Sequence, residues 1–117
     1  MPETGDNPDY MKLLFSKIRR VAFGGHTHLP GIFTPDQPFL TQAEVPTNFP
    51  LVGSKFFVNV GSVGQPRDGD TRACYAIFDG TYLTYRRVVY DYRRTARQIK
   101  RIRRLPNALG ARLALGL

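Results

Sequence analysis

Residues 23–31 read FGGHTHLPG and hold both histidines of the chain, His26 and His28, one residue apart and framed by Gly24, Gly25 and Gly31. The run VAFGG (21–25) reads as a short buried strand ending in glycines, which places the two imidazoles on the loop at its C-terminal end. Loops leaving strand ends are where α/β proteins place their chemistry. Two imidazoles at i and i+2 can point the same way from an extended segment, and flanking glycines let the backbone approach a bound ion and its phosphate ligand. The spacing suits a metal, although a bare His-x-His is more often two incidental polar residues. Two ligands also do not hold a catalytic ion: a first-row hydrolytic site takes at least three, and a two-metal site adds a bridging carboxylate.

The nearest candidate acids to complete such a set are Asp68 and Asp70 in PRDGD, which read equally well as a solvated turn. Cys74 lies in RACYAIF, a continuous apolar pattern expected of a strand covered on both faces, and reads as a buried thiol without a ligand role. With one cysteine, no disulfide within the chain and no cysteine-rich zinc cluster can form.

The flanking segments give an α/β order. Asn7 before Pro8 reads as a helix cap, and Met11, Leu14, Phe15 and Ile18 recur at i, i+3, i+4 and i+7, so an amphipathic helix is expected over about residues 8–19. GIFT (31–34) reads as a further short strand. PDQPFLTQAEVPTNFP (35–50) carries four prolines and reads as a long surface excursion. KFFVNV (55–60) is β-prone and runs into the glycine-rich turn GSVGQPRDGD. Two β-rich segments around Asp79-Gly80 form a hairpin signal. Asp91 can cap a last helix with Ala96, Ile99 and Ile102 or Arg103 near its inner face, interrupted by Pro106 before the apolar tail NALGARLALGL.

The chain has 117 residues, 42% of them hydrophobic, which bounds it to one ordinary globular domain. Its apolar runs are far shorter than the roughly 20 residues of a membrane helix, and its N-terminus is acidic and polar, so a cytoplasmic protein without a membrane partner is expected. The formal net charge of +8 is unevenly spread: nine of the seventeen basic residues fall in RRVVYDYRRTARQIKRIRR (86–104).

FGGHTHLPG followed by FFVNVGSVGQPRDGDTRACYAIFDG resembles the C-terminal portion of the calcineurin-like metallophosphoesterases, in particular their small bacterial and archaeal branch. The G-H-T-H motif and the N-x-G-S-V-G-Q-P-R run occur in the family's order, and the resemblance spans roughly residues 8–115. Val60 stands where many members have proline, and the excursion at 35–50 is longer than in the simplest members. The resemblance implies an α/β fold, the C-terminal half of a four-layer α/β/β/α sandwich, with residues 1–117 forming a single partial domain.

It also implies hydrolysis of a phosphoester substrate by a two-metal-activated hydroxide, with manganese, iron or zinc as the divalent ions. By resemblance His26 and His28 are metal ligands, each on a different ion. The family's Asp-x-His, Gly-Asp-x-x-Asp and Gly-Asn-His-Asp/Glu motifs, which carry the remaining ligands and the proton donor, are not in this sequence, so no catalytic residue is assigned here. The expected explanations are a shortened chain, a partner chain that completes the site, or a remnant with another use. A half-sandwich exposes sheet edges and a sheet face, which predicts a homo-oligomer through that surface.

Arg67, just after the GSVGQP turn, is a candidate for binding substrate phosphate and equally a surface arginine fixing the turn. Ser62 reads as a turn hydrogen-bonding residue rather than a nucleophile. The alternative to an esterase is a non-catalytic module that binds nucleic acid or another polyanion through the Arg-rich C-terminal helix.

Overall fold

The computed structural model describes residues 8–117. The expected Asn7 cap lies outside the described residues. Helix α1 runs Pro8–Ser16, shorter than expected, and passes through a turn at Lys17 in which Ile18 N–H donates to the Phe15 carbonyl. Phe15 and Ile18 are buried, while Met11 and Leu14 on the same face are half-buried.

Seven strands follow: β1 Val21–Gly24, β2 Gly31–Phe33, β3 Leu40–Thr41, β4 Phe49–Pro50, β5 Phe56–Asn59, β6 Ala73–Phe78 and β7 Tyr82–Val88. They form a four-stranded sheet in the order β1-β5-β2-β3 and a three-stranded sheet in the order β4-β7-β6. Strand β1 pairs with β5 in parallel, Val21 against Phe56, while β2 pairs with β5 and β3 antiparallel. The predicted hairpin is β6–β7, with Ala73 opposite Val88 and Phe78 opposite Leu83. Its turn is held by Asp79, whose Oδ1 accepts from the N–H groups of Thr81 and Tyr82.

The core is one cluster of Ile32, Leu51, Phe56, Val58 and Leu83, with Val21, Phe49, Ala76, Phe78 and Tyr85 packed against it. Alternation along each strand explains the membership. Residues 56 and 58 of β5 and 83 and 85 of β7 point to one side, and these are the positions at which the two sheets meet.

Three expectations need correction. Strand β1 is only partly covered, and Phe23 is 46% exposed although its ring lies 5.3 Å from that of Phe78. Strand β6 is not covered on both faces: Cys74 is buried, but Tyr75 and Ile77 are exposed, as are Tyr82 and Val88 of β7. Those four side chains point away from the core by the two-residue repeat, leaving an open apolar face. The excursion at 35–50 is also not wholly irregular. It contains β3, a 3₁₀ turn at Gln42–Glu44 and β4, and leads to the fully buried Leu51, whose N–H donates to the Thr81 carbonyl.

Helix α2, Tyr92–Lys100, is capped as predicted by Asp91, whose Oδ1 accepts from Arg94 N–H, but it ends before Ile102 and Arg103, which are exposed rather than on an inner face. The tail folds into α3, Ala108–Ala111, and a 3₁₀ turn at Arg112–Leu115. It closes against the loop after β5: Gly69 N–H donates to the Gly116 carbonyl and the Gln65 side chain to that of Leu117. Among the described residues, no helix is long and apolar enough to cross a membrane.

Candidate metal centre

The loop Gly25–Pro30 joins β1 to β2, two strands that flank β5 on either side. It does not run extended through the histidines. His26 has φ 82° and His28 φ 61°, so both sit in left-handed backbone conformations that a residue with a Cβ adopts at a cost. The curl of the loop, rather than alternation along a strand, therefore sets the direction of each imidazole. Non-glycine residues held this way mark places where the surroundings over-determine the backbone.

The surroundings are visible. His28 is grasped twice from the loop after β5: its Nδ1 lies 2.8 Å from the Gln65 carbonyl, and its own carbonyl accepts from Arg67 N–H at 3.3 Å. A carbonyl only accepts, so Nδ1 carries the proton and the lone pair of the neutral ring is on Nε2. This arrangement is the usual way in which a metal-ligating imidazole is oriented. His26 is exposed, and its ring has no hydrogen bond among the described residues.

Between the histidines, Thr27 is tied to Asn59 at the end of β5. Asn59 is 3% exposed; its Nδ2 donates to Thr27 Oγ1 at 2.8 Å and to the Gly25 carbonyl at 3.3 Å, and its Oδ1 accepts from Gly61 N–H at 3.0 Å. Tyr85 reaches across from the second sheet, its hydroxyl 2.6 Å from the Asn59 carbonyl and 3.0 Å from the Gly31 carbonyl. Burial raises the Tyr85 pKa, which keeps the phenol a donor to both carbonyls.

Gly61 turns the chain after Asn59 with φ 79°, and a Cβ there would lie 3.0 Å from Pro30 Cβ and 3.1 Å from Cys74 Sγ. The turn continues through Ser62, whose Oγ accepts from Gln65 N–H and whose carbonyl accepts from Cys74 N–H, both at 2.9 Å. Ser62 thus fixes the segment that fixes His28. Cys74 is buried, and that burial raises its thiol pKa.

Arg67 stands beside His28 through the backbone, with an exposed side chain that makes no hydrogen bond or ion pair among the described residues. The acids of PRDGD are engaged elsewhere: Asp70 pairs with Arg72 at 2.8 Å, and Asp68 pairs with Arg87. Among the described residues, no group of three or more His, Cys, Asp and Glu side chains is placed to hold a metal. The chain thus brings His26 and His28 to one braced loop and supplies no third such ligand beside them.

A groove of about 1060 Å³ opens next to this loop. Gly25, Thr27, Leu29 and Asn59 line its loop side, and α1, Phe33, Phe39 and Phe57 line the remainder. Asn59 and Gln65 fall within the N-x-G-S-V-G-Q-P-R run, but reading the sequence gave neither of them a part in placing the histidines, and it did not single out Tyr85. For Asn59 a signal existed: an amide in the otherwise apolar run FFVNV, directly before a glycine turn.

No protein-family model matches the chain. An uncharacterized protein of Methanocaldococcus jannaschii is 36% identical over 112 residues, which cover 93% of this chain and 44% of that protein. The crystal structure of a metallophosphoesterase from Sphaerobacter thermophilus superposes with a TM-score of 0.81 at 33% identity, over 95% of this chain and 49% of that one. The chain spans about half the length of the relatives it matches. Over nearly its whole length it therefore has the fold of a metallophosphoesterase, to an extent consistent with the C-terminal portion of that fold.

Proposed function

We propose that this chain supplies the Gly-His-Thr-His metal-ligand loop of a metal-dependent phosphoesterase. The observation that carries the reading is the bracing of His28, whose Nδ1 is committed to the Gln65 carbonyl and whose Nε2 is left with a lone pair. The residues fit a divalent ion: two neutral imidazoles on one loop, one oriented by a backbone carbonyl, suit manganese, iron or zinc. His26 and His28 would hold the ions, together with ligands that lie outside the described residues of this chain. Divalent ions at such a site supply Lewis-acid stabilisation of phosphoryl oxygens and a nucleophile at neutral pH.

The chain's own residues have separable tasks. Gln65, seated by Ser62, sets the tautomer and angle of His28. Asn59 ties Gly25 and Thr27 to the end of β5 and so holds the curl that places both histidines. Arg67, whose backbone N–H is bonded to the His28 carbonyl, carries an exposed guanidinium of the kind suited to bidentate contact with a phosphate group of the substrate.

Calorimetric titration of the chain with manganese or zinc tests the reading. Weak uptake, short of full occupancy, is expected in the wild type with two imidazoles alone, and it should weaken further, at least about tenfold, in His28→Ala and in His26→Ala. Equal uptake by the wild type and both variants would defeat it. The chain alone is expected not to hydrolyse a generic phosphodiester with added manganese, since the described residues hold no third ligand.

A further inference from the structure

The C-terminal helices carry chemistry that the histidine loop does not use. From Tyr92 to Arg104 the sequence YRRTARQIKRIRR holds seven basic residues and no acid. None of the seven makes an ion pair or a side-chain hydrogen bond among the described residues, whereas Arg72 and Arg87 are both paired with Asp68 or Asp70. Seven unpaired cations on a short segment repel one another, so the arrangement is at its most favourable when an anion lies against it.

Placement along α2 sorts them. Arg93, Arg97 and Lys100 follow one another at i, i+4 and i+7, a row about 10 Å long on one side of the helix. All three are exposed. Beside the row, α2 packs on α3 at the close approach of Gly110 to Ala96, and between the helices lies a notch of about 340 Å³. Its walls are Tyr92, Arg93, Arg97 and Lys100, and Ala96, Ala111 and Ala114 contribute small apolar surface. The Arg93 guanidinium sits 5.5 Å from the Tyr92 ring centroid. A row of cations bordering a small-walled apolar notch suits a ligand that alternates phosphates with flat rings.

We infer that the α2–α3 surface is a second binding site, separate from the histidine loop, that takes single-stranded nucleic acid, its phosphates along the Arg93–Arg97–Lys100 row and a base in the notch. A membrane surface fits less well. Lipid binding through a basic helix asks for a continuous face of bulky apolar side chains alongside its cations, and within α2 Tyr92 and Ile99 are partly covered by the molecule itself, which leaves Ile102 and Leu105 beyond the end of the helix as the exposed ones.

The test is fluorescence polarisation of a labelled single-stranded oligothymidylate of about twelve nucleotides with the full chain. Three phosphate contacts predict that affinity falls about 20-fold between about 50 and 200 mM salt. Arg93→Gln/Arg97→Gln/Lys100→Gln should lose about tenfold or more at low salt, while Lys12→Gln/Lys17→Gln/Arg19→Gln, which removes the same charge from exposed positions around α1, should bind as the wild type does. Three results would overturn the inference: no binding at low salt, equal loss in both triple variants, or tighter binding to phosphatidylserine vesicles than to the oligonucleotide.

Discussion

His26 and His28 hold left-handed backbone angles that glycine would hold without cost, so their retention trades stability for an imidazole at each position. His26 shows the trade most cleanly because its ring has no hydrogen bond among the described residues. His26→Gly is expected to raise stability by about 1 kcal/mol in urea denaturation while abolishing the contribution of that residue to metal uptake. His26→Ala, which keeps a Cβ in the same conformation, should stay within about 0.5 kcal/mol of the wild type. A glycine variant less stable than the alanine variant would contradict this account of the loop. The histidines were legible as candidate ligands from FGGHTHLPG, and Asn59 stood out in principle. The Gln65 carbonyl was not legible, because a backbone acceptor is the same in every residue and this one arrives from 37 positions away.

The loop between β5 and β6 shows what the pattern of apolar and polar residues conveys and what it leaves out. PRDGD signals a turn, and a turn is what forms, but its acids are not merely solvated. Asp70 accepts from the Arg72 side chain and backbone and lies 3.9 Å from Arg87, which together hold its pKa down at about 2. A carboxylate depressed in the folded state contributes stability that is fully present above about pH 4 and is lost as pH falls towards 2. Denaturation across that window should show stability declining with acid in the wild type and a shallower decline in Asp70→Asn. Identical acid profiles would mean that the Arg72 pair contributes nothing on folding. Strands β5, β6 and β7 were readable from β-propensity and turn residues, and so was the Asp91 cap, whereas β3 and β4 in the proline-rich excursion were not. The exposure of Tyr75 and Ile77 was not, since ACYAIF carries no polar residue to mark its outer face.

The two sheets divide the chain in a way that local pattern does not announce. Strand β4, two residues in the proline-rich excursion, leaves the sheet of its neighbour β3 and pairs with β7 more than thirty residues later. The parallel β1–β5 pair likewise closes only after the whole loop and excursion have passed. Such pairings follow from burying Leu51 and Leu83 between the sheets, a demand on the whole molecule rather than on any segment. Their outcome is that β1, β2 and β5 deliver the histidine loop, its asparagine brace and the Gln65 turn to one end of the four-stranded sheet, beside an open groove.

That end of the sheet is where the account stands or falls, and NMR of the two imidazoles reads it. Long-range nitrogen–proton spectra of the histidine rings, recorded before and during a manganese titration, should show His28 as the tautomer protonated at Nδ1, with its signals and those of His26 the first to broaden. Broadening that begins at Asp68 and Asp70 and spares both rings, or a His28 protonated at Nε2, would contradict it.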